Sequence, residues 1–202
     1  MAKTIPEVRI KYAWLLSGTA SVALNEKWGN GTPLRSYDEY VLIVDKYKRW
    51  WSPHNDAILH GICDIFNLEF RQNIIDINVA PWFKPISDPM VIGPAFSTED
   101  ALINTITHEL LHRLITDNTS TNYEHDFIKD WELLFGDDHS QTTLVHIPVH
   151  AGMKKLYVDV INRPDLVNFD IDKVKDYPDY AKAWEYIEAH DYNKILQQLT
   201  RS

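Results

Sequence analysis

The chain has 202 residues, 45% of them hydrophobic, with 29 acidic against 20 basic side chains and a formal net charge of -9. That apolar content suits one sizeable core, so residues 1–202 are expected to form a single domain. Scattered Lys and Arg, in no run longer than Lys154-Lys155, leave no electrostatic footprint for a phosphate backbone, and no nucleic acid partner is expected.

The N-terminus offers a weakly apolar stretch, Tyr12 to Leu24, with Ser21-Val22-Ala23 as a small-x-small site. Glu7 interrupts the basic region before it, and Ser17, Gly18 and Thr19 dilute its apolar centre, so an N-terminal strand and helix is the better reading than a leader. No segment approaches the ~18 to 20 apolar residues that cross a bilayer, and no membrane partner is expected. A cytoplasmic location is the corresponding expectation. The single cysteine, Cys63, lies in an apolar run and reads as a core residue.

Ser36-Tyr37-Asp38-Glu39 has the form of a capping box, and Tyr40, Val41, Ile43, Val44, Tyr47 and Trp51 continue at helical spacing. Ser52-Pro53 is expected to start a second helix that runs to Phe66. Residues Asn73 to Ala80 alternate apolar and polar after Ile75 and suit a half-buried strand closed by Pro81; Met90-Val91-Ile92 suits a second. Ser97-Thr98-Glu99-Asp100 is another capping signal, followed by Ala101, Leu102, Ile106, Leu110, Leu114 and Ile115 at helical intervals. Further helices are expected over Phe127 to Phe135, stopping at Gly136, over Pro148 to Ile161, and over Tyr180 to Leu199. The fold class is therefore α+β, predominantly helical with a small sheet.

The third strong helix contains His108-Glu109-Leu110-Leu111-His112, the pattern HExxH. Residues four apart share a helix face, so both imidazoles can reach one cation at the ~2.0–2.1 Å of a zinc–nitrogen bond. Glu109 lies roughly 100° further round the helix, beside the metal position without facing it. This arrangement suits metal-assisted hydrolysis, with Glu109 as general base for a water molecule activated by Zn2+.

The motif resembles that of the zincin metallopeptidases. The resemblance implies a zincin-like domain, a peptide or protein substrate, and an edge strand able to pair with an extended substrate; Asn73 to Ala80 or Met90 to Ile92 could supply it. The metzincin continuation is absent, since Ile115 and Asn118 stand at its glycine and final histidine positions. A third metal ligand is therefore sought downstream. His125 lies thirteen residues beyond His112, a spacing similar to that of SprT-like proteins, in which a histidine opening the second helix completes a three-histidine site. Glu124 is the alternative, because with Ile128, Trp131 and Phe135 it falls on one helical face. Glu132, twenty residues beyond His112, is similar in position to the carboxylate of thermolysin-like enzymes and ranks third. His146 and His150 follow.

His146-Ile147-Pro148-Val149-His150 presents two more histidines. Either is a candidate oxyanion or substrate contact, with Tyr157 beside them, and a core or capping role is the competing reading. Pro148 is expected to leave His146 outside the helix. His54, His60 and His190 read as structural or surface residues, and Pro81-Trp82-Phe83 as a possible pocket lining. The competing functional class is a non-catalytic, zinc-containing binding or regulatory module on the same scaffold. An intact Glu109 argues against it, because a structural metal site needs no adjacent base.

Overall fold

A computed structural model describes residues 3–19, 35–81, 83–119 and 127–199 of the chain. It is mostly helical with one small mixed sheet, which is the α+β class. The chain divides into two compact units, one made of residues 6–55 and 72–109, the other of 1–5, 56–71 and 110–202.

The first of these units holds the sheet. Strands β1 (Glu7–Tyr12), β2 (Ile74–Val79), β3 (Ile86–Ser87) and β4 (Met90–Ile92) are ordered β1-β2-β4-β3. β1 and β4 run parallel to β2, with Ile10 opposite Ile77 and Val79 opposite Ile92, and β3 is antiparallel to β4. The alternation read in the sequence is the burial pattern of β2: Ile75, Ile77 and Val79 are buried, and the residues between them are not. β2 and β4 are both interior to the sheet. Neither is the edge strand that the zincin resemblance suggested; the edges are β1 and β3.

Helix α1 (Tyr37–Trp51) packs against β1 of this sheet. The Ser36 side chain accepts from the Glu39 amide while the Glu39 carboxylate accepts from the Ser36 amide, a complete capping box. Tyr40 stacks on Tyr12 of β1 with ring centroids 4.2 Å apart. The Tyr47 hydroxyl donates to the Gly93 carbonyl and accepts from the Phe96 amide, fixing the chain between β4 and the next helix.

That next helix is α3 (Glu99–Thr119), which contributes residues 99–109 to this unit and 110–119 to the other. The Thr98 hydroxyl accepts from the Ala101 amide at its N-terminus, and Glu99 and Asp100 in the first turn suit the positive end of the helix dipole. Residues 102–107 are buried without interruption, polar Asn104, Thr105 and Thr107 included. α3 is thus enclosed on all sides where HExxH begins, unlike an amphipathic surface helix.

The second unit is helical: α2 (Asn55–Phe66), the end of α3, α4 (Phe127–Phe135), α5 (Gln141–Lys155), α6 (Asp165–Val174), α7 (Pro178–Ala189) and α8 (Tyr192–Leu199). α4 stops at Gly136, whose φ of +105° a side chain would resist. Two expectations need correction here. The helix expected from Pro148 begins at Gln141, capped by the Ser140 hydroxyl on the Thr143 amide, and passes through Pro148 before ending in a π-helical turn, Leu156–Val160. The single helix expected over Tyr180 to Leu199 is two helices, parted at His190 and Asp191.

α5 is the centre of this unit, in contact with α4, α7 and α8 and buried continuously from His146 to Met153. Gly152 permits its close approach to α2 and α3. A Cβ there would lie 2.6 Å from a Phe66 ring carbon and 3.1 Å from a Leu111 methyl. Among the described residues, no helix is long and apolar enough to cross a membrane.

Candidate metal centre

His108 and His112 occupy successive turns of α3, both partly buried, with Glu109 between them at 7% exposure. Among the described residues, one group of three potential metal-ligating side chains comes together: His108, His112 and His146, whose candidate ligand atoms all lie within 4.8 Å of one another. Helix α5 brings in the third. Pro148 does not exclude His146 from this helix, because α5 starts a full turn and more before it at the Ser140 cap. Proline removes the amide that would bond the Leu144 carbonyl and crowds that carbonyl, yet the helix continues through it.

The two best defined nitrogens are His112 Nε2 and His146 Nε2, 3.2 Å apart. His146 Nδ1 lies 2.6 Å from the Thr142 carbonyl oxygen, and a carbonyl can only accept, so Nδ1 carries the proton. In neutral His146 the lone pair then sits on Nε2 and points at His112. Contact between the two nitrogens needs either a proton on His112 Nε2 or a shared cation. Two ligands at ~2.0–2.1 Å from a tetrahedral zinc ion would be about 3.3 Å apart, close to the observed separation.

Neutral His112 protonated on Nε2 and a shared cation each account for this contact. Burial, with His146 as a second cause, pushes the His112 pKa down to about 3. Burial also lowers the His146 pKa, against a smaller opposing effect of its bond to the Thr142 carbonyl. Both imidazoles are therefore neutral near pH 7, the form that ligates metals. A donor set of three histidines, one with its ring oriented by a backbone carbonyl, is of the kind that holds zinc.

The other sequence candidates fall differently. His125 and Glu124 lie outside the described residues. Glu132 is on α4 and does not belong to the three-residue group. His150, proposed as an oxyanion or substrate contact, has no exposed surface. It stacks on Trp184 with centroids 4.5 Å apart, and its Nε2 is 3.9 Å from a buried Asp170 carboxylate oxygen that accepts from Trp184 Nε1. Tyr157 is likewise fully buried, in the π-helical turn. For both residues enclosure opposes direct contact with a substrate in this conformation. His54 pairs with Glu99 at 2.8 Å and His190 Nδ1 bonds the Tyr186 carbonyl, in keeping with structural roles.

Sequence reading passed over Tyr180. Its ring centroid is 4.0 Å from that of His146. No periodicity marks this residue, because its importance comes from α7 packing on α5, where His146 lies thirty-four residues earlier in the chain.

Compared with known proteins, the chain matches no family model, no curated protein and no solved structure.

Proposed function

We propose that this chain is a zinc-dependent hydrolase of zincin type that cleaves peptide bonds, with His108, His112 and His146 as metal ligands and Glu109 as general base. The observation that carries this reading is His146. A residue outside the HExxH motif, on a different helix, brings its unprotonated Nε2 to 3.2 Å from His112 Nε2. An HExxH sequence arising by chance has no reason to acquire such a neighbour.

The chemistry zinc supplies when bound is Lewis acidity, which polarises a carbonyl and lowers the pKa of a water molecule to about 7. Glu109 takes a proton from the attacking water as its oxygen bonds to the amide carbon. The same carboxyl then gives that proton to the departing nitrogen as the carbon–nitrogen bond breaks. The turn of α3 supports this division of labour, since the two histidines share a face and Glu109 is rotated from it by roughly 100°. Thr142 holds the His146 tautomer throughout, leaving Nε2 as donor to the metal.

The test compares wild type with Glu109→Gln at equal zinc content, on a mixed peptide library and an unfolded protein substrate. Wild type is expected to bind about one zinc and to cleave; the variant is expected to retain zinc and lose ~10²- to 10⁴-fold in turnover. Stoichiometric zinc with equal turnover by the two proteins would remove the mechanism. Stoichiometric zinc with no cleavage by either would favour the non-catalytic module.

A further inference from the structure

His146 is held on more than one side. Thr142, one turn earlier on α5, accepts from its Nδ1, and the first turn of α7 meets the same stretch of α5 at several points. The Asp179 carboxylate accepts from the Ser140 hydroxyl at 2.6 Å, and the Asp179 backbone carbonyl accepts from the Thr143 hydroxyl at 3.1 Å. The next residue, Tyr180, lays its half-buried ring against the His146 imidazole, 4.0 Å between centroids and tilted by 46°. Two consecutive residues of α7 therefore grip the helix end on both sides of Thr142 and the ring that Thr142 orients.

From this geometry we propose that Asp179 and Tyr180 form a clamp that positions His146, making the start of α7 the determinant of metal affinity at the three-histidine centre. The inference rests on His146 being a metal ligand, as proposed above. Its physical basis is rotational freedom. A histidine ring fixed by one hydrogen bond can still swing about it, and a flat aromatic face removes that freedom before the metal arrives. The bonds from Ser140 and Thr143 keep the α5 carbonyl of Thr142 and the α7 ring in register. Tyr180 is thus a positioning residue, acting on the metal through His146.

The experiment measures zinc affinity of the full chain by chelator competition, the visible spectrum of its Co2+ form, and thermal stability without metal. Tyr180→Phe keeps the aromatic face and is expected to stay within about threefold of wild type. Tyr180→Ala is expected to weaken zinc binding by the ~10- to 100-fold typical of lost support around a ligand, and to alter the cobalt spectrum. Tyr180→Leu fills the space without a flat face, so it guards against a folding defect in the alanine variant and is expected to follow it in direction. Lowered stability with unchanged zinc affinity and cobalt spectrum in the alanine and leucine variants would reduce Tyr180 to a packing residue and overturn the clamp. If wild type takes up neither zinc nor cobalt, the metal reading itself fails and the clamp with it.

Discussion

The molecule carries two histidine pairs of identical spacing, His108 with His112 on α3 and His146 with His150 on α5. Helical periodicity puts each pair on one face of its helix, and nothing in the spacing tells them apart. Their surroundings do. The α3 pair is partly exposed and has Glu109 beside it. The α5 pair is buried and splits in role: His146 turns its Nε2 toward His112, whereas His150 sits one turn further along, stacked on Trp184 near the Asp170 carboxylate. A repeated motif thus yields a chemical pair on one helix and, on the other, one candidate ligand and one core residue.

The sharpest way to break this comparison is to remove the α5 histidines one at a time. His146→Ala is expected to cost more than the ~10- to 100-fold in zinc affinity that loss of a supporting residue costs, because a ligand itself is gone. His150→Ala is expected to leave zinc affinity within that range and instead to lower stability by about 2–5 kcal/mol through the cavity left beside Trp184. Chelator competition and denaturant unfolding separate the two outcomes. Equal zinc affinity in His146→Ala and wild type would transfer the third ligand elsewhere, with His125 and Glu124 the first to examine.

Acid provides the next test. The His112 pKa is about 3 in the fold, and those of His146 and His150 are also lowered, all chiefly by burial. An unfolded histidine titrates near ~6.5, so on the acid side of that value the unfolded chain takes up protons that the folded chain refuses. The metal-free protein should therefore be most stable above about pH 6.5 and lose stability steadily as pH falls from there toward 3. Proton competition for His112 in the folded protein should weaken zinc binding only as pH nears 3, the folded value of that ring. Denaturation midpoints at several pH values, with and without zinc, measure both; a flat profile for the metal-free protein would contradict the neutral, buried state of these rings.

The smallest effect concerns the approach of α5 to its neighbours. Gly152→Ala would place a methyl 2.6 Å from a rigid Phe66 ring, with Leu111, the residue before His112, also in reach. The substitution is expected to cost about 1–3 kcal/mol of stability, with a modest loss of zinc affinity as α5 is displaced. Unchanged stability would mean that Phe66 yields easily and that the spacing of the pairs does not depend on this glycine.

Much of the local structure was legible before any coordinates. The capping box at Ser36, the alternation in β2, the helix bearing HExxH and the stop at Gly136 all follow from residues close together in the chain, and each appears where it was read. The failures have a common cause. Pro148 has the local chemistry of a helix start, yet α5 runs through it because burial on every side outweighs the lost hydrogen bond and the crowded carbonyl. β2 is interior and not an edge strand, because β1 pairs along it from more than sixty residues earlier in the chain.

The candidate centre divides in the same way. His108, Glu109 and His112 are placed by one helix, so 3.6-residue periodicity alone puts two imidazoles on one face and the carboxylate beside them. That much belonged to the sequence. His146 joins them only through the packing of α5, and Tyr180 reaches His146 only through the packing of α7. No spacing rule links residues thirty-four positions apart; burial and helix contact, not periodicity, decide which of several histidines lies beside His112.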